Sequence, residues 1–99
     1  MTFAQEILCN LETHRLVGLV TAVCHRRGVC VSDLCSSART RSVSYARQEV
    51  WAAVYDLPDR HYSYSEIARI FGRDHSAVLI GIHAHRRRVA QAPLEETPP

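Results

Sequence analysis

Residues 63–79 read SYSEIARIFGRDHSAVL and contain the clearest helix start and stop signals of the chain. Ser63 followed three residues later by Glu66 is the pattern of a capping box, which predicts that a helix begins here. Gly72 is expected to end that helix, because glycine adopts the left-handed conformation at little cost. Asp74 is a good cap for a second helix directly after it. Two short helices joined by a glycine-containing turn are typical of a helix-turn-helix.

The apolar residues of this stretch fit the same geometry. Ala68 is small where two helices must approach closely, and Val78 is spaced to point back and fix the second helix. The first helix is expected to bury Ile67, Ile70 and Phe71. Spacing of this kind also occurs in other helical proteins, so the residues around it must carry part of the argument.

Outward from this stretch, the hydrophobic periodicity is helical and no run alternates strictly as a strand would. The chain is therefore predicted to be all-α. A first helix is predicted with one apolar face, formed by Phe3, Ile7, Leu8 and Leu11, and a second helix is predicted to end at Gly28. A short helical turn over residues 33–36 and a long helix capped by Ser42 or Ser44 follow. The last helix is predicted to turn an apolar face inward, formed by Val78, Leu79, Ile82 and Val89. Trp51 lies off the main apolar stripe of the long helix and is expected at the edge of the core.

Length and charge limit the class of protein. A chain of 99 residues with 46% hydrophobic residues can form one small domain with a core. All twelve of its cations are arginine, and residues 13–92 hold all twelve against six acids, a net charge of +6. This basic body favours nucleic acid or an acidic surface as partner. A genome of high GC content would produce the same preference for arginine over lysine.

Targeting and cysteine patterns favour a cytoplasmic protein. There is no signal-peptide pattern and no run of roughly 20 apolar residues, so no membrane partner is expected. Cys9, Cys24, Cys30 and Cys35 lack a C-x-x-C spacing. We therefore expect buried free thiols rather than disulfides or a metal site.

Two polar segments are candidate DNA contacts. Arg73, Asp74, His75 and Ser76 stand at the start of the second helix of the helix-turn-helix, where side chains meet base edges in the major groove. A loop with Arg39 and Arg41 can enter a narrow minor groove. The alternatives are that Asp74 only caps its helix and that the other side chains are merely solvated.

Several separated motifs together resemble the C-terminal DNA-binding domain of the DnaA family, the bacterial chromosomal replication initiators. They are Arg41-Ser42-Val43, Ala46-Arg47-Gln48, Ile67-Ala68, and Phe71-Gly72-Arg73-Asp74-His75-Ser76 with Val78. The resemblance covers residues 16–88. It implies an all-helical domain related to the Trp repressor fold, which binds short asymmetric sites on double-stranded DNA.

The resemblance also implies a role for each candidate residue. Arg39 would read bases in the minor groove, Arg41 would lie near phosphate, and Arg73 would lie beside the major groove. Asp74, His75 and Ser76 would read bases there. The amides around Tyr64 and Ser65 would bind a phosphate, and Arg47 and Gln48 would lie near the DNA backbone or be structural.

The chain departs from the family pattern at three places. Only Gly72 precedes the Arg-Asp-His run where two glycines are usual, Ala77 replaces a threonine, and Ile80-Gly81 replaces His-Ala. A glycine inside a helix costs about 1 kcal/mol. These changes bear on the preferred DNA sequence more than on DNA binding.

No phosphate-binding G-x-x-x-x-G-K-[ST] motif and no G-x-S-x-G elbow occur in the sequence, so neither a nucleotide cofactor nor enzymatic activity is expected. The expected organisation is a helical extension over residues 1–13, a DNA-binding domain over 14–90 and a flexible tail over 91–99. Such a chain would be a stand-alone reader: a transcription regulator, or a replication-associated or mobile-element factor. The alternative is a protein-interaction module on a degenerate helix-turn-helix, in which residues 2–11 dock a partner or a second copy.

Overall fold

The computed structural model describes residues 2–91, and every regular element in that range is an α-helix. The six helices are α1 (Phe3–Thr13), α2 (Val17–Arg27), α3 (Val31–Leu34), α4 (Arg41–Tyr55), α5 (Tyr64–Phe71) and α6 (His75–Gln91). The all-α prediction is confirmed. The predicted tail lies outside the described residues, except for Gln91, which is the last residue of α6.

The helix-turn-helix is formed by α5 and α6 as the sequence predicts. The Ser63 amide donates to Glu66 Oε1 at 2.7 Å, and the Glu66 amide donates to Ser63 Oγ at 3.1 Å, which completes the capping box. Gly72 has φ of 65° and its amide donates back to the carbonyls of the last turn of α5. The turn therefore begins at the residue where the sequence places it.

Helix α4 lies at the centre of the fold and packs against α2, α3, α5 and α6. The fully buried side chains that join these helices include Leu34, Val50, Val54, Ile67, Val78 and Ile82. Val89 was expected to continue this face, but it is 61% exposed. It borders a groove whose other wall carries Ala52 and Ala53, and their side chains are too short to cover it.

Two helix starts differ from the sequence prediction. Helix α3 begins at Val31 after Cys30, two residues before the predicted turn. Helix α4 is capped by Thr40, whose Oγ1 accepts from the Val43 amide at 3.4 Å, and not by Ser42 or Ser44. Thr40 has the extended backbone of a cap residue, with φ of −65° and ψ of 156°, so Arg41 becomes the first residue of the helix.

Helix α1 packs onto the same core, because Ile7 and Leu11 are buried among residues of the other helices. Phe3, at its first turn, is 42% exposed. Arg15, with φ of 57°, turns the chain from α1 into α2. No single helix within residues 2–91 is long and apolar enough to cross a membrane; α1 and α2 reach that length and composition only as a pair bent by 119°.

The four thiols are free, but only Cys24 and Cys35 are buried. Burial raises the pKa of both thiols. Cys9 and Cys30 are exposed, so the expectation of buried thiols is wrong for these two. Cys9 lies on the outer face of α1, and Cys30 occupies the cap position before α3, where its side chain is free to point away from the core.

Candidate nucleic-acid interface

Arg47 of α4 fixes the loop that carries Arg39. Its guanidinium donates to the carbonyl oxygens of Leu34 at 2.8 Å, Ala38 at 2.6 Å, Ser36 at 2.6 Å and Asp33 at 3.1 Å. The residue is only 6% exposed. Burial, and after it the neighbouring charge of Arg73, lowers the pKa of Arg47 to about 10. Of the two roles that the sequence left open for Arg47, these four bonds and the burial support the structural one.

Arg73 joins the same loop to the start of α6. Its Nη2 donates to the Ser36 carbonyl at 2.8 Å, the oxygen that Arg47 also uses. On its other side, the guanidinium lies 5.5 Å from the centre of the Phe3 ring. Partial burial lowers the pKa of Arg73, and the charge of Arg39 acts in the same direction. The arginine loop and the start of α6 thus form one continuous surface.

Arg39 and Arg41 are exposed on this surface. Within residues 2–91, the ion pairs use Arg26, Arg27, Arg60 and Arg86, and none uses Arg39, Arg41 or Arg73. The carboxylates that form these pairs are those of Glu49, Asp56 and Asp59. The guanidinium groups of Arg39, Arg41 and Arg73 therefore have no carboxylate partner among the described residues.

The start of α6 presents three polar side chains to solvent. The Asp74 carbonyl accepts from the amides of Ala77 at 3.1 Å and Val78 at 3.2 Å, so residue 74 occupies the cap position. Its carboxylate makes no hydrogen bond among residues 2–91, which corrects the expectation of a side-chain cap. Asp74, His75 and Ser76 are exposed, whereas Val78, in the next turn of the helix, is fully buried.

The start of α5 offers two backbone donors. The capping box uses the amides of Ser63 and Glu66, which leaves those of Tyr64 and Ser65, at the first two positions of the helix, without an intrahelical acceptor. The Tyr64 ring stacks on Tyr55, with centroids 4.7 Å apart. The backbone bond from Ser63 lowers the pKa of Glu66, which keeps that carboxylate ionised against the cap. This helix end can therefore donate to one oxygen between its first two amides.

Gln48 contacts α6 rather than the loop. Its Oε1 accepts from Arg88 Nη2 at 2.6 Å, and Arg88 also lies 3.7 Å from the centre of the Tyr45 ring. Arg86 pairs with Asp56 at 2.7 Å. The sequence left Gln48 near the DNA backbone or structural, and this bond between α4 and α6 supports the structural role.

A close approach of α6 to α4 was missed by sequence reasoning. A Cβ atom on Gly81 would lie 2.7 Å from Trp51 Cζ3 and 3.1 Å from Gln48 Cγ. Trp51 is only 6% exposed, so it belongs to the core rather than its edge. Gly81 lowers the helix propensity of α6, but its lack of a side chain leaves room for the Trp51 ring between α4 and α6. In the sequence, only the unusual Ile80-Gly81 pair indicated a close contact of α6 with another helix. The spacing of residues could not identify Trp51 as the side chain that contacts Gly81.

Comparisons with known proteins agree with this geometry. The family described as bacterial dnaA protein helix-turn-helix matches residues 18–87. The chain is 33% identical over 92 residues to the chromosomal replication initiator protein DnaA of Tropheryma whipplei, in both strain Twist and strain TW08/27. That match covers 88% of this chain and 18% of each relative, so the chain spans less than a fifth of their length. No solved structure matches it.

The family match includes the core of α2, the whole of α3 to α5, and α6 as far as Arg87. It therefore contains every residue that the resemblance singled out, from Arg39 to Ser76. The chain belongs to the family of bacterial DnaA helix-turn-helix domains.

Proposed function

We propose that this chain binds double-stranded DNA in a sequence-specific manner, with the start of α6 in the major groove and the Arg39 loop in the minor groove. Family membership supports DNA binding. One observation carries the two-groove reading: the hydrogen bond from Arg73 to the Ser36 carbonyl, which holds the loop beside the first turn of α6.

The first turn of α6 has the chemistry of a base reader. The Asp74 carboxylate can accept from a cytosine amino group, and His75 and Ser76 can donate or accept at base edges. All three are exposed, while Val78 and Ile82 fix the helix from behind. Side chains on a rigid helix lose little order on binding, which favours discrimination between bases.

The loop has the chemistry of a minor-groove probe. Arg39 is exposed and makes no ion pair among the described residues, and a narrow minor groove concentrates negative potential. The four bonds of Arg47 keep the backbone on which Arg39 stands in one conformation. The entropy of ordering this loop is thus lost on folding and not on binding.

Phosphate contacts would set the position on the DNA of both the start of α6 and the Arg39 loop. Arg41 at the start of α4 and the amides of Tyr64 and Ser65 at the start of α5 are the candidates. Donors at helix starts suit phosphate because their amides have no acceptor within the helix.

In the cell, we place this chain on bacterial DNA at the nucleoid as a binding module and not as an enzyme. Its relatives are chromosomal replication initiators, and they are more than five times as long as the part they share with this chain. Competition for initiator sites, transcription regulation and a role in a mobile element all use the same reading surface. Nucleotide chemistry is not part of the proposal.

The test is selection of duplexes from a random pool on the immobilised chain. We expect enrichment of one short asymmetric motif, and loss of that enrichment in Arg39→Ala and in His75→Ala. Arg87→Ala, at an exposed arginine near the far end of α6, is the matched control and should select the same motif. No enrichment, together with equal capture of any acidic polymer, would contradict the proposal and favour a protein-interaction module.

A further inference from the structure

Helix α1 is attached to the turn of the helix-turn-helix at two points. Asn10 Nδ2 donates to the Ile70 carbonyl at 3.0 Å, at the end of α5. The Phe3 ring lies against Gly72, so that a Cβ at residue 72 would be 2.7 Å from Phe3 Cε1. The absence of a side chain at Gly72 therefore serves the contact with α1 as well as the positive φ.

The same ring also faces the guanidinium of Arg73 at 5.5 Å. The guanidinium is thus held between an aromatic ring and the Ser36 carbonyl, 2.8 Å from Nη2. An arginine has several rotatable bonds, and fixing it costs conformational entropy. Contacts on both sides fix it in the free protein, next to the polar side chains of α6.

Phe3 contributes little to the core itself. Ile7 and Leu11 pack α1 against the core and are at most 2% exposed, whereas Phe3, at the N-terminal end of α1, is 42% exposed. The Phe3 ring lies against the turn between α5 and α6, where it contacts Gly72 and Arg73. Its position therefore fits a role at the reading surface better than a role in stability.

We propose that Phe3 is a positioning residue for DNA reading, which acts by holding the Arg73 guanidinium in its binding conformation beside the start of α6. The inference rests on the proposed function, since it assigns Phe3 a part in that same surface. Helix α1 lies outside residues 18–87 that the family model matches.

The test is a double-mutant cycle on the full chain with the selected duplex. Phe3→Ala is expected to weaken binding about 3–10-fold, from the lost cation–π contact and the freed arginine. In the Arg73→Ala background the same substitution should have no further effect. Phe3→Tyr keeps the ring and should bind like the native chain.

Val17→Ala is the matched control, because Val17 is another exposed apolar residue, 38% exposed, at the start of α2. It should leave affinity unchanged. Circular dichroism and thermal unfolding are followed for every variant, and binding is measured well below each midpoint, so that loss of fold is separated from loss of position.

The outcomes separate this inference from the proposed function. If the native chain binds its selected duplex and Phe3→Ala binds equally well, the positioning role is wrong and DNA reading stands. Equal losses from Phe3→Ala with and without Arg73 would also overturn it, because the ring would then act independently of that guanidinium. If the native chain binds no duplex, both fail.

Discussion

At the scale of single residues, Arg47 supports the reading surface from behind. Its guanidinium donates to four carbonyl oxygens from Asp33 to Ala38. The planar fork of arginine can reach several acceptors at fixed angles, whereas the single ammonium of lysine cannot. The reason for arginine at this position is therefore geometric.

Arg47→Lys is expected to lower the free energy of unfolding by about 1–3 kcal/mol, because buried carbonyls lose their donors. Affinity for the selected duplex should fall as well, since the loop becomes mobile. Urea unfolding and duplex titration measure the two effects. Arg41→Lys is the control: residue 41 is exposed, so stability should change by less than about 0.5 kcal/mol. An Arg47→Lys chain as stable as the native one would contradict this role.

His75→Ala and Asp74→Ala should both remove discrimination among sites, by about 1–3 kcal/mol per lost base contact. Both side chains are exposed, so thermal stability should change little, by less than about 0.5 kcal/mol for His75→Ala. Asp74→Ala loses only a favourable charge at a helix start, worth about 0.3–1 kcal/mol. A loss near 2 kcal/mol in calorimetry would instead show that the carboxylate caps the helix in solution.

At the scale of elements, the crossing of α4 and α6 depends on one glycine and one tryptophan. The Trp51 ring packs edge-on against Phe71, with centroids 6.4 Å apart, and covers Gly81. A rigid ring held between two helices has no room to shift. A side chain at residue 81 would therefore force the helices apart.

Gly81→Ala is expected to destabilise the fold by about 1–3 kcal/mol, since overpacking exceeds the gain of about 1 kcal/mol in helix propensity. Gly18→Ala is the matched control, because Gly18 lies within α2 and a Cβ there meets nothing within 4 Å. That substitution should raise stability by about 0.5–1 kcal/mol. Chemical unfolding of the two variants gives the comparison, and stabilisation by both would show that Trp51 can move aside.

Local signals in the sequence were enough for some elements and not for others. The capping box at Ser63 and the positive φ at Gly72 depend on neighbouring residues only, and both were predictable. The partners of Arg47 lie in α3 and the loop after it, and those of Gly81 lie in α4, so spacing could not identify them. The cap at Thr40 was missed because Ser42 and Ser44 satisfy the same local rule.

For the whole molecule, the ion pairs are separate from the three arginines of the proposed DNA surface, Arg39, Arg41 and Arg73. Glu49 pairs with Arg26 and Arg27, and Asp56 pairs with Arg86. Arg39, Arg41 and Arg73 have no such partners within residues 2–91. The net charge of +2 for the full chain hides this separation.

Binding to the selected duplex should therefore weaken with salt as expected for about 3–5 phosphate contacts. The slope of log K against log salt concentration is expected to be about −3 to −5. Fluorescence anisotropy over a salt series measures it. Arg41→Ala should reduce the steepness of this slope by about 1. Arg86→Ala should leave the slope unchanged, because Arg86 is paired with Asp56. An affinity of the native chain that does not change with salt would exclude binding through phosphate contacts.

We propose that one rigid surface binds the major groove and the minor groove of the same duplex at the same time. The most direct test of this proposal is the affinity of the native chain, Arg39→Ala and His75→Ala for every single-base variant of the selected duplex. We expect each substitution to remove discrimination at its own set of positions: A·T-rich positions at one end for Arg39→Ala, and the major-groove core for His75→Ala. The two sets should not overlap. Loss at the same positions in both variants, or unchanged discrimination in either, would contradict the account.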